Sequence, residues 1–304
     1  MTAFFLLDFA PLSIALLAAM AAALLGNFML LRRQTMIADA ISHVALPGIV
    51  AAFLLTGTVS TWAMMSGATV AALLAVALIA LIRRLGRVEE GAAMGVVFTT
   101  LFAAGVLLLE QSGASGAHLD VEHALYGNLE SLVWFEGRGW SSLVDAAALA
   151  DLPPQLPRLL VVFAVVAGFV ILCWRGLVMA TFDAGYAALA GGRPALLNMA
   201  LVVLVAVTSV AAFEAVGAII VIAMFICPPA AARLMTDSLA RQVWLSLGFA
   251  ALAAVSGYVL ASWGPMWLGW AHGLSAAGMM ATMAGVILAV AALGGPRRKP
   301  LRQR

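Results

Sequence analysis

Long, nearly uninterrupted apolar runs are the feature that most restricts this chain. They fall near Pro11–Leu31, Ile41–Leu55, Thr61–Ile82, Ala92–Leu109, Leu159–Trp174, Leu196–Phe213, Val216–Arg233, Val243–Ser262 and Ala276–Leu293. An α-helix needs about 20 apolar residues to cross about 30 Å of hydrocarbon, and these runs lack the strict alternation of a membrane β-barrel strand. The runs therefore predict an all-α, polytopic transmembrane helical bundle of about nine spans, with eight to ten compatible with the pattern. Composition agrees: with 64% hydrophobic and 10% charged residues over 304 positions, too little polar surface exists to cover a soluble globule. Residues 1–304 read as a single transmembrane domain. The second run is short and carries Pro47-Gly48, which predicts a broken or steeply tilted helix.

Charge gives the bundle a direction. Arg32, Arg33, Arg83, Arg84, Arg87, Arg175, Arg193, Arg233, Arg241 and the terminal group Arg297, Arg298, Lys299, Arg302 and Arg304 all fall on one face when nine spans alternate. Only Arg138 and Arg158 fall on the other. By the positive-inside rule the rich face is cytoplasmic, so the N-terminus is expected outside and the C-terminus in the cytoplasm of a bacterial inner membrane. The first apolar run has no basic segment before it and no cleavage site after it, and is expected to be retained. A net charge of +2 without basic runs interleaved with aromatics excludes nucleic acid as the expected partner and leaves membrane lipid.

The longest polar interruption, residues 110–157, then lies outside and is rich in acids, with His118, Glu122 and His123 close together. It reads either as an acidic vestibule or docking surface that concentrates cations, with those three side chains as candidate ligands, or as a solvated loop. Cys173 and Cys227 lie far apart in apolar runs and read as small buried hydrophobes. His272, beside Trp263, Trp267 and Trp270, reads as an interfacial residue in an aromatic belt.

An ionisable side chain within a span is costly and marks a functional position by default. Asp39 and His43 are four residues apart, on one face of a helical turn, and an oxygen with a nitrogen ligand suits manganese, iron or zinc. The competing reading is a structural Asp–His hydrogen bond at the helix start. Glu214, at the outer end of the seventh run, reads either as a guide for cations or as a carboxylate favoured by a helix N-terminus. The segment 179–192, with a threonine or aspartate cap at Thr181 or Asp183 and a glycine pair at Gly191-Gly192, predicts a short amphipathic helix at the inner surface, with Phe182, Tyr186 and Leu189 near one face. It suits docking to a cytoplasmic protein or lying on lipid. No Gly-x-x-x-x-Gly-Lys-Ser/Thr loop, His-Glu-x-x-His pair or nucleophile elbow occurs, so no enzyme activity is expected of this chain, and energy for active transport must come from a partner or an ion gradient.

Three blocks together resemble the metal-ion permeases of ATP-binding-cassette importers, which carry manganese, zinc and iron. They are Gly26 through Arg33 continuing to Asp39-Ala40-Ile41-Ser42-His43-Val44-Ala45-Leu46-Pro47-Gly48; Thr181-Phe182-Asp183 through Gly191; and Val216 through Leu234. Pro228-Pro229 stands where the family usually has proline followed by alanine. The resemblance implies Asp39 and His43 as the intramembrane metal site, and Phe182, Asp183, Tyr186, Leu189 and Gly191 as the segment that couples to the ATPase. It also implies two cytoplasmic ATP-binding subunits, an external metal-binding protein and a second permease copy or paralogue. No cofactor is expected to be held permanently; the divalent ion is cargo, with manganese slightly favoured. The alternative is a secondary metal transporter driven by an ion gradient, with Asp39 and Glu214 as relay acids.

Overall fold

The structure is a computed structural model that describes residues 4–57, 61–111, 127, 129–269 and 274–296. Its helices are α1 (Phe9–Leu31), α2 (Met36–Thr56), α3 (Thr61–Gly86), α4 (Glu90–Gln111), the short α5 (Ala146–Ala150), α6 (Gln155–Leu172), α7 (Trp174–Phe182), α8 (Ala184–Leu189), α9 (Pro194–Val216), α10 (Ala218–Met235), α11 (Leu239–Leu268) and α12 (Ala276–Gly294). Among the described residues, nine helices are long and apolar enough to cross a bilayer, matching the nine runs in the sequence.

Glycine sets several boundaries. Gly57, Gly217 and Gly269 have φ of 64°, 81° and 67°, values that glycine adopts without steric cost and that stop a helix. Gly217 separates α9 from α10 with no loop between them.

α1 is the axis of the bundle. Ile14, Ala15, Ala21, Ala22, Ala23, Leu25 and Phe28 are wholly buried on several sides of it, because α6, α9, α10 and α11 all pack around it. Small residues let the backbones close in, since lipid supplies no hydrophobic drive and packing must hold the helices together. At Gly26, a Cβ would run into the carbonyl of Phe225 and the ring of Pro229. The Pro228-Pro229 step therefore lies inside a continuous α10 and serves as a surface against which α1 packs.

α2 is a second focus, packed mainly against α3 and α4. It is not broken at Pro47-Gly48: one helix continues from Met36 to Thr56. Proline removes the N–H that would bond the carbonyl of His43, yet neighbours hold the helix through this step. Gly105 of α4 lies against Pro47, and Gly67 of α3 lies backbone to backbone against Gly48.

Part of the polar interruption is folded. Trp134 is fully buried; its Nε1 donates to the carbonyl of Ala148 at 2.8 Å, and its ring meets Phe9 at 5.7 Å. The Trp134 amide donates to the carbonyl of Leu6, and Trp140 stands edge-on to Phe5 at 5.1 Å. Residues 129–154 thus pack as a cap over the start of α1.

Candidate metal site and its surroundings

Asp39 lies in the first turn of α2, where the aligned peptide dipoles favour a carboxylate. His43 follows one turn later, with Nε2 at 3.6 Å from Asp39 Oδ1. That distance is too long for a hydrogen bond, so the pair does not satisfy itself as a structural contact. Asp39 and His43 keep side-chain exposures of 30% and 40% within a membrane-spanning helix whose other residues carry no ionisable group. The imidazole is held from one side: Phe98 stacks on it at 5.2 Å and Phe102 meets it edge-on at 6.2 Å. Phe98, Phe102 and Gly105 recur along one face of α4, two of them orienting the ring and the third admitting Pro47. The result is an oxygen and a nitrogen donor side by side, partly exposed, with the imidazole backed by an aromatic wall. Among the described residues no group of three or more His, Cys, Asp or Glu is gathered to hold a metal, so this pair alone would present few ligands to a passing ion.

The other candidates stand apart. Glu214 is not at the start of the seventh span but in the last turn of α9, the sixth, because Gly217 places the break after it. A helix C-terminus disfavours a carboxylate, which removes the dipole explanation. Arg158 at the start of α6 answers it with an ion pair, and the same guanidinium lies over the ring of Trp62 at 5.5 Å. Glu214 is therefore a neutralised member of a bridge joining α9, α6 and α3, a poor free relay acid. His118, Glu122, His123, Trp270 and His272 lie outside the described residues.

Within residues 179–192 the short aspartate-capped helix is α8, which follows directly on the end of α7. α7 ends at Phe182 and α8 begins at Ala184, because the Asp183 carboxylate accepts from the Tyr186 amide at 2.8 Å and caps the second helix. Phe182, Tyr186 and Leu189 are 61%, 61% and 90% exposed, an apolar surface, and Gly191 ends α8 at φ 80°.

Two polar arrangements were not read from the sequence. Asn27, fully buried in α1, donates through Nδ2 to the carbonyl of Ala23 and to Ser246 Oγ, and accepts from Gln242 Nε2 at 3.0 Å. Arg32, just after α1, donates from Nε to Thr181 Oγ1 at 3.1 Å and from a terminal nitrogen to Asn198 Oδ1 at 2.7 Å. Asn27 within a uniformly apolar run was the signal for the first; nothing in sequence separation pointed to the second. Because Asn198 and Glu214 lie at opposite ends of α9, Arg32 and Arg158 sit at opposite ends of the bundle, as the alternation of charge requires.

Comparison with known proteins agrees with this architecture. The chain is 38% identical over 273 residues to the manganese transport system membrane protein MntD of Bacillus subtilis, covering 90% of this chain and 87% of that one. It is 35% identical over 294 residues to the zinc transport system membrane protein TroD of Treponema pallidum, covering 95% and 74%. In three dimensions it is similar to a chain of PsaBC from Streptococcus pneumoniae, solved in complex with Fab, at a TM-score of 0.74 and 25% identity over 96% of this chain and 93% of that one. The ABC 3 transport family matches residues 7–134 and 147–294, which take in all nine spans, and the chain belongs to that family.

Proposed function

We propose that this chain is the membrane-spanning permease subunit of an ATP-driven importer of divalent metal ions in a bacterial inner membrane. The carrying observation is the Asp39–His43 pair, half-exposed, oriented by Phe98 and unsatisfied by its own contact. Relatives named for manganese, zinc and iron transport support the cargo class, and the 38% identity to a manganese system favours manganese slightly. The exposed Phe182, Tyr186 and Leu189 suit two cytoplasmic ATP-binding subunits, with the N-terminus outside and the C-terminus inside. An external metal-binding protein delivers the ion, and a second permease copy or paralogue completes the path. Transport is by alternating access. Few-ligand binding serves this, since an ion held by a complete ligand shell is released slowly.

The test is metal accumulation, ion by ion, in a deletion strain carrying wild type, Asp39→Ala or His43→Ala. Each variant should lower uptake of the cargo ion by at least roughly tenfold, the scale of losing a metal-site group, while still co-purifying with its ATPase. Wild-type uptake by either variant would defeat the site assignment.

A further inference from the structure

Resting on the importer reading, we infer that Arg32 is a positioning residue that transmits movement of the coupling segment to the metal-bearing helix α2. Thr181 is the penultimate residue of α7, two before Asp183, at which α7 gives way to the exposed α8. Its hydroxyl oxygen accepts from Arg32 Nε, and Asn198 in α9 accepts from the same guanidinium. One turn earlier on α1, Phe28 meets Trp174 at 6.1 Å, edge to face. The arm formed by α7 is thus fastened to the end of α1 at both its ends, by an aromatic contact at Trp174 and by charge at Thr181.

The backbone between Arg32 and α2 is stiff. The Arg33 amide donates to the carbonyl of Leu30 and the Gln34 amide to that of Met29, at 3.1 and 2.9 Å, the paired bonds of a Schellman ending. Arg33 holds the left-handed position with φ 58°, where glycine is the usual occupant. The Ile37 amide then donates to Gln34, and α2 begins at Met36 with Asp39 in its first turn. Hydrogen-bonded turn and helix therefore run without a gap from the guanidinium to the metal carboxylate. A displacement of the arm cannot be absorbed in a loose loop. The second terminal nitrogen of Arg32 is buried without a partner, as is Gln34 Oε1, so the node leaves hydrogen-bonding capacity unused in this arrangement and has groups free to engage in another.

The experiment uses the complete transporter in proteoliposomes, reading metal uptake, ATP hydrolysis and subunit stoichiometry together. Arg32→Met should assemble with its ATPase and retain basal hydrolysis, while ions moved per ATP fall roughly tenfold, the worth of one charge-assisted hydrogen bond. Arg32→Lys keeps the charge without the two-acceptor fork and should fall between. Thr181→Val, a near-isosteric loss of the hydroxyl, should lower the same ratio and add little to Arg32→Met, because both break one link. A merely structural arginine would lower the amount of complex and leave the ratio intact; that result overturns the inference. If Arg32→Met fails to assemble, Thr181→Val decides: a reduced ratio supports the inference and a normal one defeats it. Absence of ATP-dependent uptake by wild type is a different failure, that of the importer reading itself.

Discussion

Asn27, Gln242 and Ser246 are wholly buried and close on one another, whereas Asp39 and His43 are partly exposed, 3.6 Å apart and not hydrogen-bonded. Both clusters lie in membrane-spanning helices and use similar numbers of polar atoms. In the first, the Asn27 amide has two acceptors and one donor, and the Ser246 hydroxyl donates on to the carbonyl of Val243. Those groups are neutral and mostly spent on one another, with Gln242 Oε1 left buried without a partner, so they join α1 to α11 and have little left for a ligand. In the second, one member is a carboxylate, the other an imidazole, and their lone pairs are unclaimed by each other. Polarity inside a membrane is therefore not by itself a site; a partly exposed ionisable pair that does not close on itself is the better candidate.

Exchanging the chemistry of the two clusters gives the largest contrast. Asn27→Asp places a buried carboxylate beside the neutral Ser246 and Gln242 side chains and removes the Nδ2 donor, which should cost about 3 kcal/mol or more and sharply reduce the yield of folded protein. Asp39→Asn is the mirror change and should do the reverse: melting of the purified protein unchanged within about 0.5 kcal/mol, as for a substitution away from packed features, with uptake down roughly tenfold or more. If Asn27→Asp folds normally, or if Asp39→Asn melts early and transports well, the distinction between glue and site is lost.

Asn27→Leu has the next largest effect. It removes the network member but adds no charge, leaving the Gln242 amide and the Ser246 hydroxyl to find other partners; a loss of about 1–2 kcal/mol is expected. In a membrane such losses are often smaller because the displaced groups recruit neighbours. Uptake per folded transporter should stay near wild type, measured by normalising transport to detergent-solubilised monodisperse protein.

The sequence made some of this legible and hid the rest for identifiable reasons. Nine spans follow from hydropathy because length and apolarity alone decide whether a helix can cross, and the arginine asymmetry fixed the parity of the count. That Asp39 and His43 share one face of α2 was legible because their spacing is local. The unbroken α2 was not, since what preserves it through Pro47 is the absence of side chains at Gly67 and Gly105 on two other helices, a long-range fit. Glu214 was misplaced for want of its partner: Arg158 lies 56 residues away in sequence, and apolar runs on both sides of Gly217 blur the helix boundary. The short exposed helix within 179–192 was legible, with its aspartate cap and glycine end, because both signals are local; that α7 runs up to it without a loop was not. Arg32 was read only as a topological charge, because hydropathy treats an arginine as a count and not as a donor with two acceptors 149 and 166 residues away.

The smallest expected effect falls on the wall of the open pair. Phe98 lies flat on the His43 ring, with an interplanar angle of 26°. Stacking of this kind contributes about 1 kcal/mol, so Phe98→Ala frees the imidazole to turn away from the carboxylate at about that cost. In uptake measured against ion concentration, the half-saturating concentration should rise about fivefold with the maximal rate little changed, because the ligands remain and only their alignment is lost. Phe98→Tyr keeps the stacked ring and should restore most of the affinity. A fall in maximal rate at unchanged half-saturation would mean that α4 works in the conformational step instead, and the open pair would then be aligned by something other than its aromatic wall.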